Sequence, residues 1–359
     1  MDDDAVRDLL REVEDPDLGD DIVSLGLVND VAVDDGTVSI DLALGAPYSP
    51  TETTLAGEVR ERIEAEGLDA DLSASIPGRD DQPQAEAVLP NVKNVIAVAS
   101  GKGGVGKSTV AVNLAAGLSD MGARVGLFDA DIYGPNVPRM VDADEPPMAT
   151  EDETLVPPEK YGVKLMSMAF LVGEDDPVIW RGPMVHKVIT QLTEDVEWGH
   201  LDYLVVDLPP GTGDTQLTML QTMPVTGAVV VTTPQDVALD DARKGLEMFG
   251  RHDTVVLGVL ENMATFACPD CGSEHDIFGA GGGESFADVH EMPFLGSIPL
   301  DPSVRAGGDE GKPIVLSGEG ETAAAFADAT ERVANNVGIV HRRAIAESLA
   351  PPAATESDD

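Results

Sequence analysis

A short stretch rich in glycine and lysine has the residue types and the spacing that phosphate binding requires. It lies between an apolar run at 95–99 and a helix-like run at 110–118. Glycines let successive backbone N–H groups converge on phosphate oxygens, and the N-terminus of the following helix adds its positive dipole end. We therefore predict a P-loop in which Lys107 reaches the β- and γ-phosphates of a nucleotide and the Ser108 hydroxyl binds Mg²⁺. The stretch consists of Gly101, Lys102, Gly103, Gly104, Val105, Gly106, Lys107, Ser108 and Thr109.

Aspartates stand at the ends of two further apolar runs. Asp129 and Asp131 follow the run at 124–128, and Asp207 follows the run at 203–206. The carboxyl ends of parallel strands form one edge of a sheet, so we expect these carboxylates near the P-loop. Asp207 has the position of the carboxylate that completes the Mg²⁺ shell. The other two could orient water, contact Mg²⁺ or cap a turn.

Asn262 ends another apolar run, at 255–261. Its side-chain amide offers both a donor and an acceptor, which suits the edge of an adenine base. A turn or a cap explains an asparagine at a strand end equally well. The sequence pattern leaves both interpretations open.

The cysteines of the chain, Cys268 and Cys271, are three positions apart in a segment rich in glycine and polar residues. Two thiolates supply half of a four-ligand metal site. The other half could come from His275 and His290, which would give a Cys₂His₂ zinc site. Alternatively, it could come from the same two cysteines of a second subunit, which would give a Cys₄ site on a two-fold axis. A four-cysteine site suits zinc or [4Fe–4S], and the spacing does not choose between them.

Strands and helices alternate after residue 92 and must position these residues. Short apolar runs without alternation predict strands that helices cover on both faces. We predict an α/β fold: a doubly wound, mostly parallel sheet of a P-loop NTPase domain, preceded by a small α+β domain of order α-β-β-α-β. The predicted strands of the large domain are 95–99, 124–128, 163–168, 203–206, 228–232, 255–261 and 294–298, and its predicted helices are 107–119, 183–194, 214–222, 237–249 and 320–336.

The predicted domain boundaries follow changes in composition. We predict a small domain at 1–76, a linker at 77–91, the P-loop domain with the cysteine pair at 92–340, and a disordered acidic tail at 341–359. The linker is polar and contains glycine, proline and glutamine with little periodicity.

Acidic side chains greatly outnumber basic ones along the whole chain. The 359 residues include 66 Asp and Glu against 22 Lys and Arg, which gives a net charge of -44. Both predicted domains carry this excess, which indicates an acidic surface adapted to a salt-rich cytoplasm. Such a surface disfavours nucleic acid and anionic membranes as partners. Because no apolar run reaches the length of a membrane span and the acidic N-terminus lacks secretory features, we expect a cytoplasmic protein.

Taken together, these motifs resemble a known family. The glycine-rich stretch is similar to the deviant Walker A motif of the MinD, ParA and nitrogenase-iron-protein class of dimeric ATPases. The other motifs resemble those of the Mrp/ApbC branch, which comprises iron–sulfur cluster carrier ATPases. The matching segments are 101–109, 129–135, 207–214, 261–263 and 298–302, together with Cys268 and Cys271. The small N-terminal domain resembles one that often precedes this branch and that other iron–sulfur assembly proteins share.

The resemblance implies a role for individual residues. In that class the first lysine of the motif, here Lys102, reaches across a homodimer to the nucleotide of the partner. Asp131 would orient the water that attacks the nucleotide, and Lys107 would hold its phosphates. Asn262 would read adenine, and the loop from Pro299 to Asp301 would lie near the base.

The resemblance also implies a function. The homodimer would hydrolyse ATP with Mg²⁺, hold one [4Fe–4S] cluster between the Cys268 and Cys271 pairs of its two subunits, and transfer the cluster to apo iron–sulfur proteins. Two alternatives stay open. A MinD/ParA-like positioning ATPase would need a basic DNA-binding face or a membrane anchor, which the net charge and a weakly amphipathic C-terminal segment do not favour. A zinc-stabilised nucleotide-binding regulator would bind zinc at the cysteines.

One position of the small domain departs from the family pattern. Ser49 stands where the family often has a cysteine in a T-P-x-C-P segment. Serine is a poor iron ligand compared with a thiolate. We therefore expect this domain to be structural or to serve as a docking module.

Overall fold

The computed structural model describes most of the chain as two compact units. It describes residues 1–34, 36–77, 88–132, 134–143, 145–151, 154–171, 182–268 and 271–349, with the backbone only at 171 and 182–186. The described residues of 1–83 and 337–359 form the smaller unit, and those of 84–336 form the larger unit. Most of the predicted linker therefore lies outside the described residues.

The smaller unit has the predicted α-β-β-α-β order. Its elements are α1 Asp3–Leu10, β1 Val28–Asp34, β2 Thr37–Leu42, α2 Pro50–Ala65 and β3 Asp69–Ala74. Strand β2 pairs antiparallel with β1 and parallel with β3. Leu55, Val59 and Ile63 recur every four residues on α2, and this periodic face is buried in the core of the unit.

The larger unit alternates strands and helices. Its strands are β4 Val95–Ala99, β5 Val125–Asp129, β6 Met148–Ala149, β7 Leu155–Val156, β8 Glu159–Lys160, β9 Val163–Ser167, β10 Tyr203–Asp207, β11 Gly227–Thr232, β12 Val256–Glu261, β13 Phe266–Ala267, β14 Glu274–His275 and β15 Phe294–Ser297. The α-helices that begin in it are α3 Lys107–Asp120, α4 Val137–Met140, α5 Gly182–Glu194, α6 Asp214–Thr222, α7 Asp236–Arg251, α8 Gly282–Val289, α9 Pro302–Glu310 and α10 Glu321–Leu349.

An eight-stranded sheet organises the larger unit. Its order is β15-β12-β11-β4-β10-β5-β9-β8, and the paired strands run parallel except for β8, which is antiparallel to β9 at one edge. Every residue of β4, β5, β10 and β11 is buried. This confirms the predicted fold class, since continuous apolar strands need helices on both faces. The carboxyl ends of β4, β5 and β10 therefore lie side by side.

The predicted disordered tail at 341–359 is wrong for the residues that the structure describes. Helix α10 continues without a break to Leu349. Arg342 is fully buried in the smaller unit, where its guanidinium lies 2.6 Å from Asp15, 2.7 Å from Asp17 and 3.2 Å from Glu52. Three carboxylates around one guanidinium explain why the helix persists, and the sequence pattern at 341–349 gave no sign of these distant partners. Residues 350–359 lie outside the described part.

Three helices of the larger unit were not predicted: the four-residue α4, and α8 and α9. Helices α8 and α9 contain two glycines each, at positions that ordinarily weaken a helix. Tertiary contacts override this preference, because α8 packs against β12 and β15 while α9 packs against α4. The Asp301–Pro302 pair at the start of α9 was an available signal, since Asp301 accepts the N-cap hydrogen bond from the Ser303 amide at 2.8 Å.

Candidate nucleotide site and cysteine pair

The glycine-rich stretch forms the turn between β4 and α3. Gly106 is the N-cap of α3 with φ at 86°, in the left-handed region that favours glycine. A Cβ atom on Gly101 would lie 2.2 Å from the carbonyl carbon of Asp241, so the turn packs directly on the backbone of α7. The first N–H groups of α3 point out of the helix at this turn, which gives it the geometry of an anion site.

Lys107 joins this turn to the end of β10. Its Nζ atom lies 2.5 Å from Asp207 Oδ1 and 3.4 Å from Ser108 Oγ. Lys107 and Asp207 are both buried. The ion pair therefore fixes Lys107 and the carboxylate at the end of β10 against each other, in line with the expectation that Asp207 lies near the glycine-rich stretch.

Three aspartates crowd the same edge of the sheet. Asp129 and Asp207 are fully buried, and Asp131 is nearly so. Burial raises the pKa of Asp129 to about 7, and the charge of Asp207 adds to this increase. Burial also raises the pKa of Asp207, against the effect of the Lys107 ammonium, and the charge of Asp131 adds to the increase. The local excess of negative charge is what a divalent cation would neutralise.

The oxygen atoms around Lys107 fit Mg²⁺. Among the described residues, the buried Oδ2 atom of Asp207 has no hydrogen-bond partner. The Ser108 hydroxyl lies at the same place, 3.4 Å from the Lys107 ammonium that contacts Asp207. A carboxylate and a hydroxyl oxygen are ligands that Mg²⁺ takes when it accompanies nucleotide phosphates. The pair Ser108 and Asp207 could thus hold the Mg²⁺ of a bound nucleotide.

Asn262 reaches from the end of β12 to the P-loop. Its Nδ2 atom donates a hydrogen bond of 2.8 Å to the Val105 carbonyl oxygen. Since a carbonyl oxygen can only accept, one of the two hydrogens on the amide nitrogen is committed to the P-loop, and Oδ1 is left as an acceptor. A Cβ atom on Gly106 would lie 2.1 Å from Nδ2, so this contact also requires glycine there.

A cavity of about 440 Å³ opens beside the P-loop and is large enough for a nucleoside. It brings together the predicted residues Gly106, Thr109, Asn262, Pro299 and Asp301. Sequence reasoning missed the other walls, which α4 and α9 supply. These missed residues are Asn136, Arg139, Met140, Val304, Arg305, Gly308 and Asp309. Met263 and Leu300, which lie within the predicted segments 261–263 and 299–301, also line the cavity. Asp301 itself is occupied by its cap and by the Thr322 hydroxyl at 2.7 Å.

Lys102 differs from Lys107 in its surroundings. Its backbone carbonyl accepts a hydrogen bond of 3.0 Å from the Ser100 hydroxyl, which fixes its place in the turn. No carboxylate of the described residues lies within 4 Å of its ammonium group. The second lysine of the motif is therefore half-buried and without an ion pair within the described chain.

The cysteine pair lies on a short hairpin of β13 and β14. The Cys268 amide donates to the Ser273 carbonyl at 2.9 Å, and the Gly272 amide donates to the Cys268 carbonyl at 2.8 Å. Cys268 is half-buried and Cys271 is exposed. The Ser273 hydroxyl lies 3.3 Å from Cys271 Sγ and is the main cause that lowers the pKa of this thiol, with the Cys268 side chain as a further cause. Both thiols thus face the same exposed turn.

The histidines do not complete a metal site within one chain. In the described part of the chain, no group of three or more His, Cys, Asp or Glu side chains is arranged to hold a metal ion. His290 packs against Phe286 with tilted rings whose centroids are 4.5 Å apart, and His275 is exposed on β14. The Cys₂His₂ arrangement with His275 and His290 therefore does not form among the described residues.

The fold and the P-loop geometry define a P-loop nucleoside triphosphatase, and comparison with known proteins identifies the family. Residues 91–337 match the family model described as NUBPL iron-transfer P-loop NTPase, and residues 3–75 match a model described as iron-sulfur cluster assembly protein. The chain belongs to the NUBPL iron-transfer P-loop NTPase family. This confirms the resemblance that the motifs carried.

Individual relatives match between two thirds and nearly all of the chain. The iron-sulfur cluster carrier protein of Synechocystis sp. is 45% identical over 346 residues, which cover 94% of this chain and 98% of the relative. The iron-sulfur cluster transfer protein NUBPL of Dictyostelium discoideum is 50% identical over 239 residues, which cover 66% of this chain and 74% of the relative.

Solved structures resemble the larger unit. A nucleotide-binding protein of Archaeoglobus fulgidus in complex with ADP is 37% identical with a TM-score of 0.58, over 66% of this chain and 92% of that one. The cell division ATPase MinD of Pyrococcus furiosus is 26% identical with a TM-score of 0.51, over 67% of this chain and 98% of that one. The P-loop fold is thus shared with both a nucleotide-binding protein and a cell division ATPase.

Proposed function

We propose that the protein is an ATP-hydrolysing iron–sulfur cluster carrier that acts as a homodimer. The observation that supports this best is the pairing of a P-loop site with a hairpin that offers two thiols, while no third ligand joins them among the residues that the structure describes. A [4Fe–4S] cluster needs four such ligands, so two copies of the Cys268 and Cys271 pair would hold it. The cluster is cargo, and apo iron–sulfur proteins are its recipients.

Each residue at the P-loop would have a separate role in hydrolysis. Lys107 would place its ammonium on the β- and γ-phosphates, and Ser108 with Asp207 would hold Mg²⁺, which neutralises charge that develops on the phosphate oxygens. Asp131 lies beside Asp207 and would orient the attacking water. Lys102 would complete the charge around the phosphates of the partner subunit, since its own chain already supplies Lys107 and leaves Lys102 without an ion pair within the described residues.

The geometry of Asn262 suits the amino group of adenine. With Nδ2 bound to the Val105 carbonyl, Oδ1 is available to accept a hydrogen bond. The exocyclic amino group of adenine could donate to it, whereas guanine presents a carbonyl oxygen at that ring position and would have to use its ring N–H or its 2-amino group instead. The loop from Pro299 to Asp301 would enclose the base in the cavity.

The remaining proposals concern surroundings and partners. The net charge of -44 favours a cytoplasmic protein in a salt-rich cell and disfavours nucleic acid or an anionic membrane as a partner. Among the described residues, no helix combines the length and the apolar character that crossing a bilayer demands. Ser49 is buried and caps α2 through the Glu52 amide, which supports a structural or docking role for the small domain.

The decisive experiment measures iron and acid-labile sulfide in protein that is purified or reconstituted without oxygen. We expect about four iron and four sulfide atoms per dimer, with the cluster lost in Cys268→Ser. Ser273→Ala is the matched control, because it keeps both thiols and removes only a neighbouring hydroxyl. Stoichiometric zinc without sulfide would contradict the proposal, as would a cluster that survives in Cys268→Ser.

A further inference from the structure

Asp129 is a buried carboxylate for which the proposed reaction has no use so far. It is the last residue of β5, in register with Asp207 on β10 and with Ser167 on β9. The side chain is fully buried. Placing a carboxylate there, next to another carboxylate, is unfavourable unless its hydrogen bonds compensate.

The Asp129 carboxylate accepts hydrogen bonds from three different places. Its Oδ2 atom accepts from the Ser167 hydroxyl at 2.8 Å and from the Val137 amide at 3.2 Å. Its Oδ1 atom accepts from the Asp131 amide at 3.3 Å. One side chain therefore holds the end of β9, the first residue of α4 and the backbone of the residue that would orient water.

Helix α4 connects these bonds to the nucleoside cavity. Asn136 at its N-cap, Arg139 and Met140 line the cavity, while the Val137 amide is bound to Asp129. A base in the cavity would contact the α4 residues that line it, and α4 is in turn hydrogen-bonded to Asp129. Asp131 lies at the other end of this chain of contacts, near Lys107 and Asp207.

We propose that Asp129 is a positioning residue that links occupation of the base cavity, through α4, to the placement of Asp131. The proposal rests on the proposed ATP hydrolysis at this site. Its consequence is that the base contributes to the rate of hydrolysis and not to binding alone. The wild-type protein should then hydrolyse ATP with a higher kcat than ribose 5′-triphosphate, which has the same phosphates and lacks the base.

Asp129→Asn is the informative variant because asparagine cannot satisfy all three donors. Its NH₂ group must face either the Asp131 amide or the Val137 amide, and two donors that face each other do not bond. Either orientation breaks the link on one side. We expect kcat with ATP to fall about tenfold, which corresponds to about one lost hydrogen bond, and the ATP to ribose 5′-triphosphate ratio of kcat to approach one.

Ser167→Ala is the matched control. It removes one donor to the same carboxylate but leaves the bonds to Val137 and Asp131 in place, so it should keep the wild-type ratio. If Asp129→Asn does not fold, Asp129→Ser can replace it because serine also removes the buried charge. The same ratio of kcat with ATP to kcat with ribose 5′-triphosphate is then measured for that variant. A merely structural role would lower the melting temperature and change kcat for both substrates by the same factor.

The outcomes separate this inference from the proposed function. A wild-type ratio of one would overturn the inference, and so would an Asp129 variant that keeps the wild-type ratio. A wild-type protein that releases no phosphate from ATP would instead overturn the proposed function. A ratio that is high in the wild type and in Ser167→Ala but near one in the Asp129 variant would support the link.

Discussion

Lys107 and Asp207 are 100 positions apart in the chain, and their charged atoms are 2.5 Å apart in the structure. At the scale of single residues, the site is a balance between one buried ammonium group and three carboxylates. Burial and the charge of Asp207 raise the pKa of Asp129 to about 7. Near neutral pH this carboxyl is therefore only partly ionised, and the cluster carries less negative charge than three ionised carboxylates would. A Mg²⁺ ion would neutralise part of this negative charge.

Lys102 should matter for hydrolysis and little for binding. We expect Lys102→Ala to bind ATP with nearly wild-type affinity and to lose kcat by about a hundredfold or more, because a cation that contacts the phosphates in trans stabilises mainly the transition state. Lys107→Ala is the contrasting variant and should lose ATP affinity itself. Equilibrium binding and single-turnover hydrolysis separate the two effects, and unchanged turnover in Lys102→Ala would refute the role in trans.

Gly106 should tolerate no side chain. A Cβ atom there would lie 2.1 Å from Asn262 Nδ2, and the φ angle of 86° is itself unfavourable for alanine. We expect Gly106→Ala to lower the stability by about 1–3 kcal/mol and to weaken ADP binding, because Asn262 must leave both the P-loop and the base. Thermal unfolding and ADP titration test this. Gly103→Ala, whose Cβ meets nothing within 4 Å, should keep the wild-type melting temperature.

At the scale of elements, two helices supply the walls of the nucleoside cavity, which the strands do not form. The parallel strands bring the P-loop and the carboxylates to one edge, but α4 and α9 form the walls of the cavity. The last turns of α10 belong to the smaller unit, where Ile345 joins the apolar core and Arg342 meets three carboxylates. Residues 341–349 lie beyond both matched family segments, which end at 75 and 337.

Arg342 should be required for the stability of the smaller unit. Arg342→Met leaves Asp15 and Glu52 buried without a counter-charge, and we expect a loss of about 3–5 kcal/mol. Hydrogen–deuterium exchange should show faster exchange in α2 and β2 with little change in β4 and β10. Arg343→Met, at the exposed neighbouring position, is the control. Wild-type exchange of α2 in Arg342→Met would contradict this role.

At the scale of the whole molecule, the large negative net charge is the property with the clearest physical consequence. A net charge of -44 on 359 residues repels itself strongly unless salt screens it, and the screening length falls from about 10 Å at 0.1 M to about 3 Å at 1 M salt. This property belongs to the surface as a whole, since acidic residues occur throughout the chain.

Stability should therefore increase with salt concentration. We expect the melting temperature to rise steadily as KCl is raised from about 0.1 M to 2 M, because screening weakens repulsion in the compact state more than in the expanded chain. An uncharged osmolyte at equal osmolality serves as the control, since it does not screen charge. Equal melting temperatures across the KCl series would contradict the proposed adaptation to salt.

Sequence by itself determined the parts of this protein that depend on local patterns. Apolar runs gave seven of the eight strands of the large sheet, the spacing of glycine, lysine and serine gave the P-loop, and motif resemblance gave the family. The same reasoning could not find α9, the walls of the cavity or the helical course of 341–349. These depend on contacts between residues far apart in the chain, which override local preference.

Only the tertiary structure decided how the site residues relate to one another. It committed the Asn262 amide nitrogen to Val105, placed three hydrogen bonds on Asp129, and kept His275 and His290 from completing the cysteine site. Sequence specifies which groups a chain carries, whereas their distances and burial arise only when separate strands and helices pack together. Hydrogen bonding and pKa depend on those distances and on that burial, so they belong to the folded molecule.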